Sequence, residues 1–338
     1  MTFVMLVPAI NVFAQQKEFP KLTGPYLGQK PPGMKPEIFA PGIISTGAHE
    51  LDICFSADGN EVFYSVTGPA FQPRVILSSS TVNTVWSKPQ ELPFFDPART
   101  DGYPFLTPDG KRLFFNSSRP RGGKDETEVP GSGDIWTVDR VDGQWDEPRR
   151  IDFGDQFKGN RGFASVAQNG NLYFFAMFNG EKPAIYVAKF GNGSYAAPEK
   201  LGEGINGPGS IANFHPYIAP DESYLLFDSR RAEDNLGLND IYISFRRQDG
   251  TWSPAKNLGK SINSPGLDLR PFVTFDGKYL FFASDRKMTM ELPPKGPNAD
   301  EVGHFLNPPG NGSQDIYWVD ARIIGTIKSE DPKQGSVQ

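Results

Sequence analysis

Hydrophobic and polar positions along this chain fall into one phrase written five times. It is clearest in DGYPFLTPDGKRLFFNSSR (101–119): a polar start, a short apolar run, Pro-Asp-Gly, a second apolar run and an Arg. Its counterparts are ELDICFSADGNEVFYSV (50–66), RGFASVAQNGNLYFFAMFN (161–179), NFHPYIAPDESYLLFDSRR (213–231) and DLRPFVTFDGKYLFFASDR (268–286). Short apolar runs bounded by turn residues predict strands. The turn residues Asp58, Asp109, Asn169, Asp221 and Asp276 are spaced 51, 60, 52 and 55 apart. Asp-Gly and Asn-Gly tolerate the positive φ that a tight hairpin needs. The fourth copy has Asp221-Glu222 and no Gly, which predicts a longer turn or one of another type.

A second half follows each phrase: VILSSSTVNTVWSKPQEL (75–92), DIWTVDRVDGQWDEPRRI (134–151), AIYVAKFGNGSYAAPEKL (184–201) and DIYISFRRQDGTWSPAKNL (240–258). Each predicts a third strand, a turn with Gly or Asn, an aromatic, and an outer strand ended by Pro. Proline cannot donate to a ladder and suits a sheet edge. Four strands in a repeat of about 50 residues is the signature of a β-propeller blade. The fifth copy stops at DIYWVDARII (315–324) without its outer strand. KPEIFAPGIIS (35–45) supplies one, because Pro36 stands 14 residues before Glu50. Pro89, Pro148, Pro198 and Pro254 precede their next blades by 12 to 15 residues. The expected fold is all-β: a single propeller of five four-stranded blades over 35–324, closed by an N-terminal strand, with six blades as the alternative. Closure removes exposed edges.

The phrase Pro-x-x-x-Pro-Asp-Gly-Lys-x-Leu-Phe-Phe, at 104–115, with a later Asp-Ile-Trp or Asp-Ile-Tyr, resembles the WD40-like repeats of the TolB-type propellers. The resemblance covers roughly residues 35 to 324. It implies the fold and leaves function open, since that superfamily includes protein-binding scaffolds, peptidase propellers and enzymes. The chain departs from TolB in lacking a separate N-terminal domain and in its count of five blades rather than six.

Composition agrees with many strands and turns: 13% aromatic, 27 Phe, 36 Gly and 31 Pro. A net charge of −6 argues against nucleic acid or an anionic membrane as partner. Residues 3 to 13 are mostly apolar, and Val12-Phe13-Ala14 before Gln15 fits a signal-peptide cleavage site, although the positively charged leader is missing. The expected layout is a signal peptide at 1–14, a linker at 15–34 and a polar tail at 325–338, in a periplasmic or secreted protein. No other apolar run approaches 18 residues, so no transmembrane segment is expected. Cys54 is the single cysteine, which rules out an internal disulfide, and it reads as a small buried residue of a strand.

Propeller geometry sorts the candidate chemistry. The first strand of each blade lines the central channel, and its starting end shares a face of the disc with the loop between strands two and three. Eight residues before each turn stand Glu50, Asp101, Arg161, Asn213 and Asp268; six before stand Asp52, Tyr103, Phe163, His215 and Arg270. Positions two apart share a side of a strand, so these predict two stacked rings at one channel mouth. Arg119, Arg231 and Arg286 stand ten residues after their turns. Ion pairs with Asp134, Asp240 and Asp315 are expected for them, with ligand contact as the alternative. Long loops at 120–133, 232–239 and 287–314 reach the same face, the last anchored by Met288, Met290, Leu292 and His304-Phe305 and expected to fold over the mouth.

No phosphate loop, GxSxG, HExxH or EF-hand spacing occurs, and His49, His215 and His304 are not spaced as a metal set. No cofactor or metal is expected. Two functions fit. One is an exported binding module that presents the mouth and loops to a protein or glycan ligand. The ligand-binding candidates are Glu50, Asp52, Asp101, Tyr103, Arg161, His215, Asp268 and Arg270, with Arg119, Arg231 and Arg286. The other is a glycan-active hydrolase or lyase drawing an acid and a base from Glu50 or Asp52, Asp101 and Asp268, with Arg161 or Arg270 on a sugar carboxylate and His215 as proton shuttle.

Overall fold

A computed structural model describes residues 18–68, 73–120, 133–154, 157, 159–178, 180–231, 233–288 and 308–329. Within them the five repeats form five antiparallel blades, each numbered outward from its first strand. Blade 1 holds His49–Phe55, Glu61–Thr67, Arg74–Val82 and Gln90–Glu91. Blade 2 holds Asp101–Leu106, Arg112–Ser117, Asp134–Val141 and Arg149–Arg150. Blade 3 holds Gly159–Val166, Leu172–Phe178, Ala184–Ala188 and Glu199–Lys200. Blade 4 holds Ser210–Ile218, Tyr224–Arg231, Asp240–Phe245 and Lys256–Asn257. Blade 5 holds Asp268–Val273, Tyr279–Ser284, Asp315–Asp320 and, from the N-terminal side, Glu37–Ile38. Each innermost strand touches those of both neighbours, and that of blade 5 touches that of blade 1, so the ring closes at five.

Closure follows the sequence expectation. Glu37 and Ile38 pair antiparallel with Trp318 and Tyr317. The Phe39 N–H donates to the Ile316 carbonyl at 2.8 Å, and the Ser45 hydroxyl bonds both backbone groups of Ile316 at 3.1 Å. The segment expected as a linker packs over the same seam. The Tyr26 N–H donates to the Gly59 carbonyl at 2.9 Å, and its ring meets Phe55 of blade 1 at 5.0 Å and Tyr279 of blade 5 at 5.2 Å. After the last strand, Arg322–Ser329 forms a helix, where the sequence suggested only a polar tail from 325. The signal-peptide expectation at 1–14 lies outside the described residues.

The second strands sit between neighbouring blades and are apolar on both faces. Phe63, Phe114, Phe115, Phe174, Phe227, Phe281 and Phe282 are fully buried there. Each such ring contributes about 1.5–3 kcal/mol by leaving water. Cys54 is buried among them, as expected.

Two local expectations are corrected. The fourth turn is not longer: the Glu222 N–H bonds the Ala219 carbonyl just as the Gly59, Gly110 and Gly277 N–H groups bond Ser56, Thr107 and Thr274. Glu222 occupies the glycine's left-handed position, with φ 57°. Its side chain accounts for that choice, accepting from the Tyr173 hydroxyl at 2.7 Å and the Asn171 amide at 2.9 Å, both in blade 3. The third turn is the one that differs. Val166 pairs with Leu172, six residues on, whereas Phe55–Val62, Leu106–Leu113, Ile218–Leu225 and Val273–Leu280 are seven apart. In all five turns the Asp or Asn stays at negative φ and accepts the N–H two residues on through Oδ1. The aromatic of each second half is also not on the outer strand. Trp86, Trp145 and Tyr195 sit on short ribbons that fold back before it.

Candidate functional site

The two sequence-predicted rings are both present, but they do not stack on one wall. Every innermost strand carries a register break, at Glu50/Asp52, Gly102/Phe105, Gly162/Ser165, Phe214/Tyr217 and Leu269/Phe272. At four of them the second-ring residue is left-handed: Tyr103 (φ 60°), Phe163 (59°), His215 (47°) and Arg270 (57°). A bulge re-aims a side chain, so the period-two expectation fails here. This conformation costs a bulky residue on the order of 1–3 kcal/mol. Neighbouring blades hold it in place. The Tyr103 N–H donates to Asp52 Oδ2 at 3.0 Å and Ser65 Oγ at 3.1 Å. The Phe163 N–H donates to Asn116 Oδ1 at 2.8 Å, and that of Arg270 to Asp228 Oδ1 at 3.2 Å. Ser65, Asn116 and Asp228 lie on the second strand of the preceding blade.

The first ring lies in the seams. Arg119 reaches Asp101 and Arg286 reaches Asp268, each at 2.6 Å. The expectation that these arginines pair with the third-strand Asp134 and Asp315 is therefore corrected: the first-strand Asp of the same blade is nearer to hand. Arg231 departs as well, donating to the Ile205 carbonyl at 2.8 Å with its guanidinium 5.0 Å from the Tyr242 ring centre. Asp240 instead accepts the Leu236 N–H at 2.6 Å and the Asn257 amide at 2.6 Å. Arg161 forks onto buried Asp134 of blade 2, with Nη2 to Oδ2 at 2.9 Å. Asn213 is enclosed by Ser210, Ser229, Asn206 and Ile205.

The seam between blades 5 and 1 differs in charge. Where blades 2 and 3 place Asp134 and Arg161, it places Asp315 and Glu50. Glu50 is held by the Thr46 hydroxyl at 2.6 Å and the Thr46 N–H at 3.1 Å. Burial pushes its carboxyl up to about 7, and the charge of Asp315 adds to that. Burial likewise lifts Asp315 to about 6.

The second ring meets across the axis. His215 lies 4.5 Å from Phe163 and 5.8 Å from Tyr103 between ring centres, and the Arg270 guanidinium is 5.4 Å from the Tyr103 centre. Blades 2 and 4 are not neighbours, nor are 2 and 5, so these contacts span the channel. Below them Phe105, Phe275, Phe272 and Tyr217 form a chain of edge-on rings that floors it. Arg74, Tyr103 and Phe163 keep part of their surface exposed, while Asp52, His215 and Arg270 are buried beneath. The His215 Nδ1 is 2.6 Å from Asp228 Oδ1. Burial lowers the His215 pKa against the pull of Asp228, so the neutral ring with Nδ1–H donating is favoured. Asp52 is raised by burial, opposed by Arg270 and then Arg74.

Sequence reasoning missed Arg74, Ser65, Asn116, Asp228 and Gln314. The middle three carried a signal: a polar residue interrupts the second apolar run in VFYSV, LFFNS and LLFDS. Arg74 and Gln314 carried none, because only the fold brings them to the axis. The segments 121–132 and 289–307, with Met290, Leu292, His304 and Phe305, lie outside the described residues. Met288 is exposed, and its N–H bonds the Gly310 carbonyl at 3.0 Å. Two clefts open away from the axis. One of about 660 Å³ is bordered by Tyr173, Lys200, Arg246 and Trp252, and one of about 400 Å³ by Phe94, Phe95, Trp145 and Arg119.

No family model matches the chain, and no curated protein does. Solved structures do. The chain is similar to TolB from Acinetobacter baumannii at 14% identity and a TM-score of 0.46, over 81% of this chain and 57% of that one. It is similar to the putative TolB from Agrobacterium tumefaciens at 15% and 0.46, over 81% of this chain and 90% of that one. An α-L-arabinofuranosidase from Lactobacillus brevis matches at 15% and 0.47, over 82% of this chain and 91% of that one. The likeness is one of fold.

Proposed function

We propose that this protein is an exported binding module whose channel mouth receives a protein or glycan ligand. One observation carries the reading: buried polar atoms without a hydrogen-bond partner gather at the axis. Of the eight such atoms among the described residues, four belong to side chains at the axis: Asp52 Oδ1, Arg74 Nε, Arg270 Nε and Gln314 Nε2. Unmet buried groups are rare in folded proteins and mark places where a further partner belongs. The hydrolase or lyase alternative is weakened by the seam ring. Asp101 and Asp268 are each taken up by an Arg at 2.6 Å, which turns both carboxyls into the seam rather than toward a substrate.

The test is a binding and turnover screen of residues 15–338 against acidic and neutral polysaccharides and envelope proteins, read by thermal shift and by release of reducing ends. A stabilising ligand is expected without cleavage, and its effect is expected to vanish in Tyr103→Ala. New reducing ends that disappear in Asp101→Asn or Asp268→Asn reverse the reading in favour of the enzyme. Export is part of the proposal, supported by the apolar run and Val12-Phe13-Ala14. A mature N-terminus at Gln15 is the expected outcome of sequencing the secreted form.

A further inference from the structure

We infer that the axial cluster is a site for a hydroxylated carboxylate, the chemistry of a terminal uronic acid on an acidic glycan. The inference rests on the binding reading above and adds what the mouth selects. The Arg74 side chain makes no hydrogen bond or ion pair among the described residues, and its Nε is buried without a partner. Arg270, 6% exposed, gives one terminal nitrogen to Gln314 Oε1 at 2.9 Å and leaves Nε unmet. Gln314, 1% exposed, leaves its amide nitrogen unmet. Asp52, which feels the charge of both arginines, adds an acceptor, Oδ1, that is equally unmet in a side chain 3% exposed.

The charges point the same way. Asp228, the other buried acid nearby, is already engaged by His215, by the Asn239 amide at 3.1 Å and by the Arg270 backbone. Asp52 forms no salt bridge with Arg74 or Arg270 among the described residues. Two guanidinium groups thus share one carboxylate, whose Oδ2 accepts the Tyr103 N–H and whose Oδ1 is unmet. A planar carboxylate matches the guanidinium fork better than any neutral group. A carboxylate alone leaves Asp52 Oδ1 unmet, and a neutral sugar leaves the guanidinium groups unmet. A uronic acid brings both the anion and hydroxyl donors on one small ring. The glutamate side chain of an acidic peptide lacks the hydroxyls.

Tyr103 organises the site. The Arg74 guanidinium lies 4.2 Å from its ring centre and that of Arg270 5.4 Å, so one ring orients both cations. Arg74 and Tyr103 are the part-exposed members, and the others lie beneath. The ligand therefore meets Arg74 first.

The experiment is calorimetric titration of residues 15–338 with a galacturonate trimer, its fully methyl-esterified counterpart and a hexaglutamate peptide at neutral pH. The trimer is expected to bind about tenfold or more tightly than the ester, the scale of a lost charge-assisted pair. Arg74→Met is expected to remove that advantage, and Arg74→Lys to restore part of it. Should Arg74→Met fold poorly, the wild-type Arg74 and Arg270 Nε–H nuclear magnetic resonances serve instead and are expected to shift when trimer is added. Unshifted resonances overturn the proposal. Equal affinity for trimer and ester overturns the carboxylate site while leaving a glycan-binding mouth standing. Tighter binding of hexaglutamate overturns the sugar assignment. A trimer that does not bind overturns the inference, whereas the binding reading itself falls only if ligands found in the wider screen ignore Tyr103→Ala.

Discussion

The seam ring and the axial ring stand two residues apart on the same five strands, yet they are solved in opposite ways. In the seams nearly every charge has a partner in its own blade or the next: Asp101 with Arg119, Asp268 with Arg286, Asp134 with Arg161. At the axis, Asp52, Arg74, Arg270 and Gln314 keep unmet atoms, against Arg231 and Asp315 in the seams, and four backbones are left-handed. Proximity to the channel is therefore not what marks a binding residue. A charge that completes its hydrogen bonds within the protein holds blades together, and a charge that does not is available to something else.

The largest effect expected is in the seams. Arg161→Met takes the forked guanidinium away from buried Asp134, which keeps the Ile135 N–H at 2.9 Å and a longer 3.6 Å contact from Arg150. Stripping one partner from a buried pair typically costs about 3–5 kcal/mol. With Arg150 compensating in part, a loss of about 3 kcal/mol is expected in urea unfolding. Arg74→Met, which removes a guanidinium that donates no side-chain hydrogen bond among the described residues and rests over the Tyr103 ring, is expected to change stability by under about 1 kcal/mol. Equal losses in the two variants erase the distinction between the rings.

The Glu50–Asp315 seam sharpens it. Both carboxyls lie above their ordinary values, at about 7 and about 6. A group raised by folding contributes stability below its unfolded pKa, and that contribution is lost as pH rises through the folded value. Stability is therefore expected to fall between about pH 4 and 7, by about 3 kcal/mol for the Glu50 rise alone at about 1.4 kcal/mol per unit, with Asp315 adding to it. Glu50→Gln is expected to flatten that fall, as measured by melting temperature across the range. A wild-type chain whose stability is level over this window does not carry the strained acid seam described here.

The blade count and the closing strand were legible because the repeat is written in turn residues and apolar runs, which are local. Pro36, fourteen residues before Glu50, was enough to place the last strand. The partners of Arg119 and Arg286 were not legible, because an Asp opens the first strand and another the third, and only the fold decides between them. Nor was the turning of Tyr103 toward the axis. An extended strand alternates by rule, and the bulge that breaks the rule is stabilised by Asp52, Ser65, Asn116 and Asp228 from other strands. Arg74 begins an ordinary third strand, and nothing local distinguishes it.

The smallest effect probes the axial backbone itself. Tyr103 holds φ at 60°, where a side chain is strained and glycine is not. Tyr103→Ala keeps the strain and loses the ring, while Tyr103→Gly loses both. If the left-handed turn is imposed by the Asp52 and Ser65 acceptors, Gly is expected to be more stable than Ala by about 1 kcal/mol, against the usual order of these residues in a strand. Ligand binding is expected to be lost equally in both, because the ring that orients the two guanidinium groups is gone. Chemical denaturation of the two variants measures the difference. An Ala variant as stable as the Gly variant means the turn relaxes once the ring is removed, and that the ring, rather than the neighbouring blade, holds the backbone in place.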